Sequence, residues 1–224
     1  MIKPWLIACF CFIFPALSGQ HMSTKSYTYL ALGDSYTIGE SLPIEESYPL
    51  QAVKFLENNG YHFNSTKIVA KTGWTTDELD AGINKAGINE TYDFVTLLIG
   101  VNNQYRGRSV TEYANQFEAL LKRALHFAGN NSNHVFALSI PDWGVTPFAA
   151  DRDRLAISRE IDTFNAINKA VAEKYKVMYI DITPGTREAA VDETLLATDK
   201  LHPSGKEYSR WAKQVAEAIK ERMK

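Results

Sequence analysis

The stretch YTYLALGDSYT, residues 27–37, is a run of aromatic and aliphatic side chains that stops abruptly at Gly33, Asp34 and Ser35. Tyr27 to Leu32 has the length and composition of a buried β-strand, and the glycine and polar residues after it are turn formers. Four more short apolar or β-branched runs follow: Thr66 to Ala70, Phe94 to Ile99, Val135 to Ile140 and Val177 to Ile182. Each reads as a strand.

Between these runs the apolar period becomes helical. Ser109 and Glu112 form a capping box ahead of the stripe Tyr113, Phe117, Leu120, Leu121 and Ala124, and Gly129 is placed to end that helix. Thr75 and Glu78 make the same box ahead of Leu79, Ile83 and Ala86, and Ser204 and Glu207 make it ahead of Tyr208, Trp211, Val215 and Ile219. Ile157, Ile161, Phe164, Val171 and Tyr175 form another stripe, and an earlier helix is expected from about Ser47 to Gly60. Strand and helix alternating five times imply crossover connections, hence a parallel sheet. The expected fold is a three-layer α/β/α sandwich around a five-stranded parallel sheet, flavodoxin-like in architecture. In such sheets ligands gather at the carboxyl ends of the strands.

With 224 residues, 45% hydrophobic and 22% charged, the chain is in the ordinary globular range and shows no internal repeat. Its formal charge of −2 gives no field to attract nucleic acid or an anionic membrane. The first eighteen residues differ from the rest: Lys3, then an apolar stretch from Leu6 to Leu17, then Ala16 and Ser18 as small residues before Gly19. That is the layout of a signal peptide, and its apolar run is too short to span a bilayer. Residues 1–18 are therefore expected to be removed, leaving a single exported domain, periplasmic or secreted, over 19–224. Both cysteines, Cys9 and Cys11, leave with the signal, which excludes thiolate nucleophiles and thiolate metal sites from the mature chain. Sequons at Asn64, Asn89 and Asn130 matter only in a eukaryotic secretory route.

Four strand-end loops hold residues with chemistry to offer. Ser35 follows the first strand, but a serine hydroxyl needs a base to become a nucleophile. His202, in DKLHPSGKE at 199–207, is that candidate: Asp199 three residues earlier can accept the Nδ1–H and aim Nε2 outward. His21, His62, His126 and His134 lack such a carboxylate and read as ordinary surface or core histidines. After the second strand, Gly73 in KTGWTTDE precedes a capped helix start, where its N–H can approach a ligand; after the third, Asn102 in GVNN offers a side-chain amide. Taken singly, each of these is an ordinary turn residue.

Together, Ser35, Gly73, Asn102 and His202 fall in the order and contexts of the four blocks of the SGNH hydrolases, also called the GDSL esterase/lipase family, which the sequence resembles over nearly its whole length from Gly19. The resemblance implies a serine esterase that forms an acyl-enzyme on Ser35, with His202 as general base and then acid and Asp199 orienting it. The oxyanion hole would combine the N–H groups of Ser35 and Gly73 with the Asn102 amide. No metal or cofactor is implied. Two departures stand out: Tyr36 replaces the leucine of GDSL, bearing on pocket shape, and Asn103 replaces the aspartate of the family's GxND, bearing on loop geometry. No G-x-S-x-G pentapeptide, HExxH motif or phosphate-binding glycine loop is present.

Tyr36, Trp74, Tyr105, Trp143 and Phe148 crowd these loops and offer walls for an acyl, aryl or sugar group. Arg106 and Arg108 read as solvated charges, with an anionic substrate group as the alternative. Residues 183–196 are expected to fold over the site as a partial lid. The substrate is a small-molecule ester, with short acyl or acetyl esters, lysophospholipids and sugar esters all open. Acyl transfer to a hydroxyl acceptor and a non-catalytic binding module on the same fold also remain open, as does the oligomeric state.

Overall fold

Five strands, β1 (Ser26–Asp34), β2 (His62–Lys71), β3 (Phe94–Leu98), β4 (Val135–Leu138) and β5 (Met178–Ile180), form one sheet in the order β2-β1-β3-β4-β5, and every pairing is parallel. This computed structural model describes residues 25–223; the expected signal segment and both cysteines lie outside the described residues. Leu30, Leu32, Val95, Leu97, Phe136 and Leu138 are buried, as the apolar runs require. The core is continuous through the sheet. Among the described residues eight α-helices connect or follow the strands: α1 (Ser35–Ile38), α2 (Tyr48–Glu57), α3 (Thr76–Ala86), α4 (Val101–Tyr105), α5 (Val110–Phe127), α6 (Arg154–Lys174), α7 (Thr183–Arg187) and α8 (Gly205–Arg222). Helices α2 and α8 pack together, while α3, α5 and α6 pack in a row, so the sheet lies between two helical layers. Among the described residues no helix is long and apolar enough to cross a membrane.

The helical stripes bury where their period puts them: Tyr113, Phe117, Leu120, Leu121 and Ala124 on α5, and Tyr208, Trp211, Val215 and Ile219 on α8. Ser109 caps α5, its hydroxyl accepting from the Glu112 N–H, and the Glu78 carboxylate accepts from the Thr75 N–H at 2.9 Å to cap α3. The box expected at Ser204 and Glu207 does not form. Ser204 sits at the N-cap of α8, but its hydroxyl donates to the Thr194 carbonyl at 2.8 Å, and the Glu207 carboxylate accepts from the Trp211 indole at 2.8 Å and from Arg210. Tertiary partners outcompete the local pairing.

Strands β4 and β5 are shorter than the apolar runs suggest, because side chains take over the backbone beyond them. Asn165 binds both the N–H and the C=O of Ile140, at 2.7 and 3.0 Å, and the Ser139 hydroxyl accepts the N–H of Ile182 and Thr183. Strand β2 is longer, pairing with β1 from Ser26↔His62 to Asp34↔Lys71. From β1 the chain passes first to one side of the sheet and then, at β3, to the other. Loops leaving β1 and β3 thus diverge at a topological switch point, where a parallel sheet opens a crevice.

Candidate active site

Strand β1 ends on Gly33 and Asp34, and Ser35 opens the single turn of α1. A Cβ on Gly33 would overlap the Thr37 hydroxyl and the Leu98 carbonyl, so only glycine lets the turn fold back this closely against β3. Asp34 caps the turn, accepting the Tyr36 N–H at 3.0 Å, while its second oxygen is buried without a hydrogen-bond partner. Burial pushes the Asp34 carboxyl up to about 7 against the pull of the backbone N–H groups. The Ser35 N–H, in the first turn of a helix, has no intrahelical acceptor.

The His202 Nε2 lies 3.0 Å from the Ser35 Oγ, although the two residues are 167 positions apart. Its Nδ1 lies 2.6 Å from the Asp199 Oδ2. The second Asp199 oxygen accepts the N–H groups of Leu201 and His202 at 3.0 and 2.9 Å, a local Asx-type turn that fixes carboxylate and imidazole together. A bridge between Leu196 and Pro203 closes the base of that loop. Burial pushes the Asp199 carboxyl up, but hydrogen bonds from Ser41 at 2.6 Å, from His202 and from the two backbone N–H groups outweigh it and hold it down at about 2. An ionised Asp199 accepts a hydrogen bond from the Nδ1–H and so keeps that proton on Nδ1, which leaves the Nε2 lone pair facing the serine hydroxyl.

Gly73 and Asn102 reach the same place from other loops. Ser35, Tyr36, Thr72, Gly73, Val101, Asn102, Tyr105, Trp143, Phe148, Leu201 and His202 line one pocket of about 190 Å³. Gly73 holds a left-handed φ of 82°. Its loop is tied down from α4: Asn102 donates one amide proton to the Trp74 carbonyl at 3.0 Å, and Arg106, one helical turn on, donates to the Gly73 carbonyl at 2.5 Å. The other Asn102 amide proton is left for the pocket. Arg106 also pairs with Glu78, whose carboxyl is held below the usual carboxylate range by the Thr75 N–H and this guanidinium. Asn103 caps α3, accepting the Thr76 N–H at 3.0 Å and donating to the Thr76 hydroxyl at 2.7 Å, so the missing aspartate costs the loop nothing visible.

Two expectations change, and a third gains a contact. Trp74 packs over Gly82 beside the outer edge of β2 and does not line the pocket. Arg106 is exposed, as expected of a solvated charge, and in addition its guanidinium grips the Gly73 loop. Residues 183–196 form α7 and two 3₁₀ turns, and none lines the pocket. Thr183 and Arg187 instead tie this segment to Ser139 and Asp142 under the loops. Tyr36 stands against the imidazole, ring centroids 4.8 Å apart, and fills space between His202 and Trp211. The sequence reading missed Ser41, which meets Asp199 across 158 positions, and Gln104, which accepts the Trp143 indole N–H at 2.7 Å. No local pattern in the sequence marks either residue; the burial of the Gln104 amide is visible only once the chain is folded.

Solved structures share this architecture. TesA superposes with a TM-score of 0.68 at 20% identity, over 87% of this chain and 98% of that one. The acetylxylan esterase Axe2 of Geobacillus stearothermophilus gives 0.68 at 18%, over 86% and 94%, and the psychrotrophic esterase EstA of a Pseudoalteromonas species gives 0.64 at 18%, over 88% and 99%. At these identities the likeness concerns the fold. No curated protein matches the sequence. The model of the GDSL-like lipase/acylhydrolase family matches residues 31–219, a span that holds Ser35, Gly73, Asn102, Asp199 and His202. The chain therefore belongs to the GDSL-like lipase/acylhydrolase family, whose members are enzymes that act on ester bonds.

Proposed function

We propose that this enzyme hydrolyses carboxylic esters through an acyl-enzyme on Ser35. The observation that carries the reading is the chain of contacts from Asp199 through His202 to Ser35, at 2.6 and 3.0 Å. As the Ser35 Oγ bonds to the ester carbon, its proton passes to the His202 Nε2 and the carbonyl oxygen becomes an oxyanion. The Ser35 and Gly73 N–H groups and the second Asn102 amide proton are the donors available to it. Collapse breaks the bond to the alcohol, which leaves with the proton from His202. Water then attacks the acyl-serine, giving up a proton to the same imidazole, and the carboxylic acid departs as Ser35 recovers its own. Asp199 keeps the imidazole in the productive tautomer throughout.

EstA, one of the structural neighbours, has been seen inhibited by monoethylphosphonate. A phosphonylating reagent is accordingly the direct test here. Wild-type protein should gain one phosphonyl mass on the peptide holding Ser35 and lose p-nitrophenyl esterase activity in step. Ser35→Ala should do neither; labelling elsewhere, or activity surviving in Ser35→Ala, would refute the assignment. Export of a single domain over 19–224 is part of the same proposal, supported by the tripartite pattern of residues 1–18. Amino-terminal sequencing of exported protein should begin at Gly19.

A further inference from the structure

The polar side chains in the pocket beside Ser35 are few, and apart from the Tyr36 and Tyr105 hydroxyls they are already committed. Ser35, Asn102 and His202 belong to the proposed chemistry, and the Thr72 hydroxyl is bonded to Glu40. The remaining walls are Tyr36, Val101, Tyr105, Trp143, Phe148 and Leu201. Charged groups nearby have other partners: Arg106 holds Gly73 and Glu78, and Arg152 lies over the ring of Tyr105 at 5.7 Å.

Three of the walls form a ring cluster. Trp143 meets Tyr105 and Phe148 edge-on, with centroids 5.3 and 6.0 Å apart. Its indole N–H is taken by Gln104, which Glu160 holds in turn at 2.7 Å, so Trp143 shows the pocket a fixed apolar face. Trp143 is 4% exposed, but Tyr105 and Phe148 are 44% and 48% exposed, unusual for large rings in contact with one another. The whole pocket, which must also hold the ester carbon beside Ser35, has a volume of about 190 Å³ and opens to solvent, against about 150 Å³ for an enclosed cavity that takes up benzene in an unrelated protein.

From this geometry we infer that the Tyr105–Trp143–Phe148 cluster is the substrate subsite, and that it takes an uncharged apolar group of about six carbons, a hexyl chain or a phenyl ring. It is larger than an acetyl group alone needs, and no lysine or arginine lines it to hold a phosphate. The inference rests on the ester-hydrolase reading for its substrate, while the pocket's occupancy is measurable without turnover.

The test has two ester series: p-nitrophenyl acetate, butanoate, hexanoate, octanoate and dodecanoate, and the methyl, hexyl and benzyl esters of acetic acid. Burial of one methylene is worth about four-fold, so kcat/KM should rise at least ten-fold from the smallest group to the six-carbon group in one series, the acyl series then levelling off beyond six carbons. The series in which the rise occurs tells whether the acyl or the alcohol side fills the pocket. Phe148→Ala, at a half-exposed position, should cut the six-carbon to two-carbon ratio at least three-fold. Acetylated xylose should be a poorer substrate than benzyl acetate. Calorimetric titration of Ser35→Ala protein with ethyl hexanoate and ethyl acetate reads binding alone, and the hexanoate should bind more tightly. Equal rates along both series, a preference for the smallest group in both, or a ratio unchanged in Phe148→Ala would overturn the inference. Tight hexanoate binding with no hydrolysis of any ester would support the subsite and sink the catalytic reading instead.

Discussion

Asp34, next to the proposed nucleophile, should make the protein less stable as the pH rises through neutrality. Its carboxyl is fully buried, with one oxygen lacking a partner, and sits at about 7 against 3.8 for an ordinary aspartate. Below 3.8 it is protonated in both folded and unfolded chains and has no effect on their balance. Between 3.8 and about 7 the unfolded chain ionises while the folded one holds its proton, so stability falls with rising pH. At about 1.4 kcal/mol per pH unit, the loss by pH 8 comes to about 4 kcal/mol. Asp34→Asn keeps an acceptor for the Tyr36 N–H and removes the ionisation. Its unfolding free energy, from urea titrations at half-unit steps between pH 4 and 8, should therefore lack this slope, whatever constant offset the substitution brings. The difference between variant and wild type should grow steadily in the variant's favour over that range and level off above about 7. Asp199 works in the opposite sense and in a separate window: held at about 2, it adds stability that is present above 3.8 and lost as pH falls toward 2. Parallel stability curves for wild type and Asp34→Asn from pH 4 to 8 would show that the carboxyl is not raised, and the reasoning from burial would fail.

Two further substitutions test the site. Asp199→Asn replaces an acceptor with a group able to donate to the imidazole, which favours the tautomer with the proton on Nε2; kcat for p-nitrophenyl ester hydrolysis should fall on the order of 10³ to 10⁴ with KM little changed. Arg106→Gln frees the Gly73 carbonyl and leaves Glu78 without its cation. If the guanidinium holds the Gly73 N–H in place for the oxyanion, kcat should drop about ten-fold, part of the cost of losing a donor outright, with partial recovery in Arg106→Lys; a rise in KM alone would assign Arg106 to substrate binding.

Much of this molecule is legible in its sequence because the deciding interactions are local. Five apolar runs become strands and the intervening stripes become helices, since side-chain period and capping act within a turn or two of chain. Asp199 and His202 pair across three residues, close enough for their spacing to announce the contact. Recognition of Ser35, Gly73, Asn102 and His202 also came from local blocks, each read at the end of an expected strand.

Distance along the chain marks where that reading stops. Strand order, with β1 between β2 and β3, is set by which sheet edges the crossovers cover, and it alone brings the loops of residues 35 and 102 together. Ser41 finds Asp199, Arg106 finds Gly73, and Ser204 abandons its expected cap for Thr194, because tertiary packing supplies partners that no window of sequence contains. Trp74 and Phe148 look alike as aromatic loop residues, yet one packs outside β2 and the other borders the pocket. Burial does the same for charge: Asp34 is an ordinary aspartate in sequence, and only the folded core, by excluding water from its carboxyl, raises its affinity for a proton.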